Sequence, residues 1–436
     1  MTRDEEARKA EGVRMSDLAE HVERKDMQQY LIETLTALIK FPTFVPPGEH
    51  YDEIVDWLSS LLAGFGFACE RIDMPAELVK ARLKDADLQG VRANLLATKA
   101  YAARESVDLY THLDVVPAGE GWSTPPFEPV IKDGKIFGRG VADPKGNVAA
   151  LLTALHIMEE QELESRYSLR VLLTTDEELG LYSGLCYFAD EGLLQGDYLL
   201  CMDTDNEGIC VATNGVLNWE LEVHGRSSHS SNPFLGVNAV EQAALVIQEL
   251  QALKVTIERR ESAVPCSPEI TNLTGQQHIK PVFNVTMING GVKENLIPPS
   301  CRIRGDRRYI PEESVDNVLK EFEDAVAAIK ADHGINLDLT LKPGFPPMST
   351  DPNHEWVRRV QAAASDAFSV PKGVNGVQGG LDVGYAVQRS QQPVCSFGVW
   401  RATESNIHGP DENVRISDLK NYVKFLLRLL TSDRQE

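Results

Sequence analysis

Three short, largely apolar runs, each ending in a carboxylate or an imidazole, constrain this chain more than any other feature. Residues 107–110 run into Thr111-His112, residues 169–173 into Thr174-Thr175-Asp176-Glu177-Glu178, and residues 198–202 into Asp203. Runs of that length and composition suit buried strands. Residues 145–161 between them carry Val148, Leu151, Leu152, Leu155 and Met158 at helical spacing. Residues 27–41 and 51–65 read as helices as well, the second with Ile54, Trp57, Leu58, Leu61 and Leu62 on one face. Strands alternating with helices predict an α/β domain with a mostly parallel sheet flanked by helices. In such sheets the functional site lies outside the carboxyl ends of the strands, where these polar residues fall.

The pattern changes after Asn214-Gly215. Residues 217–223 alternate apolar and polar, as a half-exposed strand does. A helix follows at about 239–253, strands near 282–288 and 301–309, a helix near 315–331 and a strand near 337–341. That order, βαββαβ, is a ferredoxin-like unit. The α/β pattern resumes with a helix at 355–368, a strand at 394–399 and a helix at 416–430. The expected organisation is a charged extension over 1–25, a catalytic domain over 26–213 and 344–436, and an inserted lid or dimerisation domain over 214–343.

A chain of 436 residues is too long for one typical core, which agrees with two domains. Its net charge of −22 repels nucleic-acid phosphates and anionic lipid, so neither is an expected partner. No apolar run reaches the ~18 residues of a membrane span. The first 25 residues are dense in charge and lack the apolar stretch of a secretory signal, so a cytoplasmic location is the expectation. Cysteines 69, 186, 201, 210, 266, 301 and 395 are odd in number and scattered. They read as free thiols, not as a disulfide frame or a thiolate metal site.

The residues with metal-ligand chemistry are His112, Asp114, Asp143, Glu177, Glu178, Asp203 and His408. Each alone is a weak signal. A histidine after a strand is more often a hydrogen-bonded structural residue, adjacent glutamates are usually solvated, and Asp203 suits a turn or a helix cap. The set is harder to dismiss, because strands repeatedly deliver such groups to one edge.

Five stretches in order carry a family resemblance. They are Thr-His-Leu-Asp-Val-Val at 111–116, Gly-Arg-Gly-Val-Ala-Asp-Pro-Lys-Gly at 138–146, Asp-Glu-Glu-Leu-Gly at 176–180, Ser-Ser-His at 227–229 and His-Gly-Pro-Asp-Glu at 408–412. From about residue 28 onward the chain resembles the co-catalytic metallohydrolases that include acetylornithine deacetylase, succinyl-diaminopimelate desuccinylase, aminoacylase and glutamate carboxypeptidase. The resemblance implies two divalent ions bridged by Asp143, with His112 and Asp203 completing one site and Glu178 and His408 the other. It implies that Glu177 is the general base for a metal-activated water. Asp114 would hydrogen-bond the far nitrogen of His112 and fix its tautomer. Three carboxylates and two imidazoles suit Zn²⁺ and also accept Mn²⁺ or Co²⁺. The resemblance further implies a cis bond at Asp143-Pro144; a proline opening the following helix is an equally allowed reading. His229 would contribute to the oxyanion site, often across a homodimer, although it also reads as a polar loop residue. Arg308 and Asn295 would face a small-molecule substrate, or lie at the surface.

One motif departs from the family pattern. Many members that process amino acids read Gly-Gly-Thr-Asp followed shortly by arginine, whereas this chain has Gly379-Gly380-Leu381-Asp382-Val383-Gly384. The missing arginine removes the usual bidentate clamp on a substrate carboxylate. Leu381, Trp400 and Tyr385 would then offer a more apolar wall beside Gly380, and acetylornithine and succinyl-diaminopimelate would be poor substrates. The leading expectation is a deacylase or peptidase of N-acyl amino acids or small peptides. An aminohydrolase acting on an aromatic C–N substrate is the alternative. A non-catalytic binding protein on the same fold is disfavoured, because the base and all five ligand positions are filled.

Overall fold

The computed structural model describes residues 15–83 and 86–431. The three ligand-bearing runs form strands Glu105–His112, Tyr167–Thr174 and Tyr198–Cys201. They lie side by side and parallel, with Glu105–His112 in the middle. Its His112 stands opposite Thr174 on one neighbour, and its Tyr110 opposite Cys201 on the other. This register, not sequence proximity, brings His112, Glu177, Glu178 and Asp203 to one edge.

These strands are the centre of an eight-stranded sheet in the order Ala68–Asp73, Ala93–Lys99, Tyr167–Thr174, Glu105–His112, Tyr198–Cys201, Val394–Ser396, Gly208–Thr213, Gly373–Val377. Four of the pairings are parallel; the two involving Ala93–Lys99 and the short one between Val394–Ser396 and Gly208–Thr213 are antiparallel. Sequence periodicity does not reveal Ala68–Asp73, Ala93–Lys99, Gly208–Thr213 or Gly373–Val377. Ala93–Lys99 is buried along most of its length and so carries no alternation to read. The expected strand at 394–399 stops at Ser396. Beyond it, Gly398 N–H donates to Asp205 O (3.3 Å) and the chain turns toward the site.

Helix Lys145–Glu160 is buried on every side along its first three turns, packed between helices Lys25–Ile39 and Ile416–Leu430. Its first residue is a buried lysine whose Nζ donates to Leu38 O (3.2 Å) and Phe41 O (2.8 Å). The amine thus meets the carbonyl end of helix Lys25–Ile39, the end that favours a cation. Burial pushes its pKa down to about 7.

Residues 215–343 build a second sheet, wholly antiparallel, in the order Val282–Gly290, Ser300–Tyr309, Gly215–His224, Leu337–Pro343. Helices Ala239–Ile257 and Val315–His333 contribute to its own apolar core of Trp219, Leu221, Val246, Leu250, Phe283, Ile303, Phe322 and Val326. Each helix starts on a side-chain cap, from Asn238 and Ser314, as unsatisfied first-turn N–H groups require. No helix among the described residues is long and apolar enough to cross a membrane.

Within the 1–25 segment, residues 1–14 lie outside the described residues, but Met15–Glu23 is a helix. Leu18 and Val22, four residues apart, are buried, and Glu23 accepts from Lys420 and Lys424 (2.7 Å each). The dense charge of this stretch hides two core positions. Leu18→Ala is therefore expected to destabilise the protein by about 2–3 kcal/mol, the lower end for a buried Leu→Ala change. Equilibrium urea unfolding checks this; an unchanged midpoint would mean that the helix is not part of the cooperative fold.

Candidate metal centre

At the carboxyl edge of the large sheet, nitrogen and oxygen atoms of His112, Asp143 and Glu178 lie within 4.8 Å of one another. His112 Nε2 is 3.3 Å from Asp143 Oδ1 and 3.4 Å from Asp203 Oδ2. His408 Nε2 is 3.2 Å from Asp143 Oδ2 and 3.1 Å from Glu178 Oε2. Asp143 thus presents one oxygen to each imidazole. The five side chains expected to be ligands meet here, from five separate parts of the sequence. The Asp143-Pro144 bond is cis, and helix Lys145–Glu160 begins directly after it.

Charge in this cluster is crowded and dry. Burial, and then the Asp143 charge, push Glu178 up to about 7 and raise Asp203. Burial raises Glu177 well above its usual range despite His112, and Asp382, Glu178 and Asp203 add to the rise. Burial alone would raise Asp143 too, but hydrogen bonds from His112 and His408 hold it below the normal carboxylate range. Burial disfavours a charged His112, yet Asp114, Asp143 and Asp203 outweigh it and keep its pKa well above normal. His408 is raised to about 11 by Asp143 and Glu178. Left to its own side chains, the cluster balances its negative charge with protons on imidazoles. Buried carboxylates need such a counter-charge, and divalent cations supply it as well. Glu178 Oε1 is buried with no hydrogen-bond partner among the described residues. An oxygen-rich, imidazole-containing donor set with a lone oxygen facing inward fits divalent metal ions.

The supports of the cluster explain its shape. Asp114 was expected to hydrogen-bond the far nitrogen of His112. His112 Nδ1 is 3.0 Å from the Asp114 backbone carbonyl, and the carboxylate is farther, at 3.5 Å. That carboxylate accepts from the backbone N–H groups of Glu177 (3.3 Å) and Glu178 (3.0 Å). Asp114 therefore fixes the Glu177-Glu178 turn as well as the His112 ring. Asp176, just before that turn, holds a left-handed φ of 70°, which is unfavourable without a glycine. Tyr51 donates to it (3.0 Å), and the Arg92 guanidinium is 3.5 Å away.

Two further groups escaped sequence reasoning. Glu412 ends the His-Gly-Pro-Asp-Glu motif and is fully buried. It accepts from Arg139 and from the backbone N–H groups of Gly140, Ala142 and Asp143. Asp382 is buried and accepts from Tyr110 (2.6 and 2.7 Å) and Ser183 (2.5 Å). Their only sequence signal was membership of a recognisable motif.

Other expected residues lie apart from the cluster or are otherwise engaged. His229 is exposed, and its Nδ1 bonds the Ser231 hydroxyl (2.7 Å), not a cluster residue. Asn295 stands beside it, its carbonyl accepting from Ser230 N–H (3.1 Å). Arg308 pairs with Asp306 (3.1 Å) and reaches Gly380, where a Cβ would lie 3.5 Å from Arg308 Nη1 and would clash with Val216. Leu381, Tyr385 and Trp400, expected as an apolar wall, each pack against a different apolar cluster. Leu381 lies against the cluster of Tyr110, Leu185 and Phe188, and Tyr385 donates to Asp190 (3.0 Å). Trp400 packs on the main core and pairs through its backbone with Asp205, close to Asp203. Arg401 is held by Asp418 and Glu207.

Residues 109–432 match the model of Peptidase family M20/M25/M40. A relative named succinyl-diaminopimelate desuccinylase, from Acidovorax ebreus, is 29% identical over 84% of this chain and 89% of its own. The fold is similar to that of an M20 family metallo-carboxypeptidase from Sulfolobus solfataricus, with a TM-score of 0.72 at 20% identity over 92% of this chain and 98% of the other. It is also similar to a dinuclear metal-binding peptidase of the M20 family from Bacillus subtilis, with a TM-score of 0.62 at 14% identity over 93% and 98%. The matched model spans most of the large sheet, the inserted sheet and the carboxylate–imidazole cluster, so the chain belongs to the M20/M25/M40 peptidase family, whose members are metal-dependent hydrolases of amide bonds.

Proposed function

We propose that this protein is a dinuclear hydrolase of N-acyl amino acids or small peptides. The observation that carries the reading is the division of Asp143, with Oδ1 toward His112 and Oδ2 toward His408. A carboxylate with one oxygen in each half of a cluster is placed to bridge two ions, His112 and Asp203 completing one set and Glu178 and His408 the other. The Bacillus subtilis neighbour, named as dinuclear, supports this. Zn²⁺ suits the donor set best, and Mn²⁺ or Co²⁺ would also be accepted. When bound, such ions make water a nucleophile near neutral pH and polarise the amide carbonyl.

Glu177 is the proton carrier in this reading. Its carboxylate has no hydrogen-bond partner among the described residues, and burial raises its proton affinity. A base with a raised pKa takes a proton from water and hands it to the leaving nitrogen efficiently near neutrality. Asp114 holds its backbone and so keeps it beside the ligands without making it one. Glu177→Gln is expected to retain two divalent ions per chain and to lose ~10²–10⁴-fold in kcat, as read by elemental analysis and turnover together. Loss of metal from this variant would reverse the roles of Glu177 and Glu178.

Arg308 is the cation proposed to receive the substrate carboxylate. It stands at Gly380, in the motif that lacks the family's usual arginine, whereas Arg401 is already paired. Arg308→Ala should raise KM for carboxylate-bearing N-acyl amino acids by about 10–100-fold, the scale of a lost charge-assisted hydrogen bond. The corresponding neutral amides should be unaffected. Equal losses on both substrate types would rule out this role.

A homodimer completes the reading. Strand Val282–Gly290 is an edge strand, and Phe234, Leu235, Met287, Ile288 and Val292 on the inserted unit are exposed. An open strand edge with apolar neighbours invites pairing. His229, which faces solvent in the single chain, would then act in the site of a second copy, stabilising the oxyanion. Mixing inactive His229→Ala and Glu177→Ala proteins should restore activity upon subunit exchange. Demonstrated mixed dimers without activity would count against action across the dimer.

A further inference from the structure

We propose that the buried Arg139–Glu412 pair is the positioning device that sets Asp143 and His408 relative to each other, and so controls how tightly the ion they share is held. The inference rests on the dinuclear reading above and extends it to residues that touch no ion. Glu412 Oε1 accepts from the backbone N–H groups of Ala142 (2.9 Å) and Asp143 (3.1 Å). Its Oε2 accepts from Gly140 N–H (3.0 Å) and from Arg139 Nη1 (2.6 Å). The other arm of Arg139, Nη2, donates to the carbonyls of His408 and Gly409, both at 3.2 Å, and of Ala118 at 3.3 Å. The Trp122 ring stacks 5.2 Å from the guanidinium, and its indole N–H donates to the same Ala118 carbonyl (2.7 Å). Both charged groups are about 1% exposed. One carboxylate thus grips the backbone of one candidate ligand, and one guanidinium grips that of the other.

Two observations make this more than a buried ion pair. First, the ligands are supported unequally. His112 belongs to a central strand held by its ladder on both sides, whereas Asp143 and His408 lie in loops. Second, the loop that carries His408 is held in an unfavourable form. Asn406, His408 and Asp411 all have left-handed backbones, at φ of 50°, 62° and 54°, and none is glycine. Non-glycine residues persist there only when their surroundings over-determine them. The contacts from Arg139 to His408 O and Gly409 O and the place of Glu412 at the loop's exit supply that constraint.

The test measures equilibrium uptake of Zn²⁺ by chelator competition in wild type, Glu412→Gln, Arg139→Lys and, as control, Asp108→Asn. Asp108 is an equally buried carboxylate, paired with Arg170 (2.7 Å) and accepting from Gly196 N–H (2.9 Å), but it touches no ligand loop. Unfolding of the metal-free proteins is followed in parallel. Wild type and Asp108→Asn should take up two ions alike. Glu412→Gln and Arg139→Lys should hold one of the two about 10–100-fold more weakly, the usual scale for residues that orient metal ligands. Should Glu412→Gln not fold, Arg139→Lys decides alone, since it keeps a cation beside Glu412 while losing donors to the His408 loop. Unchanged affinity in the folded variants, or an equal loss in Asp108→Asn at matched stability, overturns the proposal. Wild type taking up no ion overturns the dinuclear reading and this inference together. A single ion that Glu412→Gln weakens overturns the dinuclear reading alone, and a single ion that it leaves unchanged overturns both.

Discussion

Four carboxylates, Asp143, Glu177, Glu178 and Asp203, are crowded with two imidazoles in a largely buried space at one edge of a sheet. Like charges in a low-dielectric interior repel strongly and are poorly screened. Such a cluster persists only when its neighbours hold it and a positive counter-charge is present. The surrounding architecture reads as the means of holding. Parallel strands carry His112 and Asp203 to the same level. Asp114 caps the turn bearing Glu177 and Glu178. Tyr51 and Arg92 secure Asp176, and Arg139 with Glu412 secures the loops of Asp143 and His408. Each support is itself polar and buried, and each is hydrogen-bonded, as buried polar groups must be.

Legibility in the sequence followed the physical origin of each feature. Strands Glu105–His112 and Tyr167–Thr174 and helix Lys145–Glu160 could be read because their apolar patterns are local. His112, Glu177, Glu178 and Asp203 could be read because they follow strands, whose ends converge in a parallel sheet, whereas Asp143 and His408 lie in loops and were marked only by their motifs. The antiparallel edge formed by Ala93–Lys99 and Ala68–Asp73 was hidden, the first by continuous burial and the second by exposure of most of its residues. Helix Met15–Glu23 was hidden because two buried aliphatics among many charges leave little periodic signal.

The supports were the least legible part. Arg139 pairs with a residue 273 positions away, Tyr51 with one 125 away, and Tyr110 with one 272 away. A buried hydrogen-bonded pair leaves no periodic trace along the chain, so only the folded structure joins its members. Asp114 marks the boundary. Its place beside His112 was readable from the motif, but whether its carbonyl or its carboxylate faces the imidazole depends on a turn formed some sixty residues later.

That dependence bears on how the proposed base and the proposed ligand, neighbours in sequence, come to differ. Glu177 and Glu178 are chemically identical and adjacent, so only their surroundings separate them. Glu178 turns toward His408 at 3.1 Å, so that the imidazole offsets its charge. Glu177 pairs with neither imidazole; burial raises its proton affinity, the nearby His112 charge opposes the rise, and Asp382 adds to it. Asp382 is held in place by the hydroxyls of Tyr110, from the central strand, and Ser183, from the start of a helix. A 3-10 turn of three residues places two like side chains differently: Glu178 pairs with the His408 imidazole, whereas Glu177 feels His112 and the buried Asp382 only through space. The turn must be rigid for that division to last, and the Asp114 carboxylate on its two N–H groups supplies the rigidity.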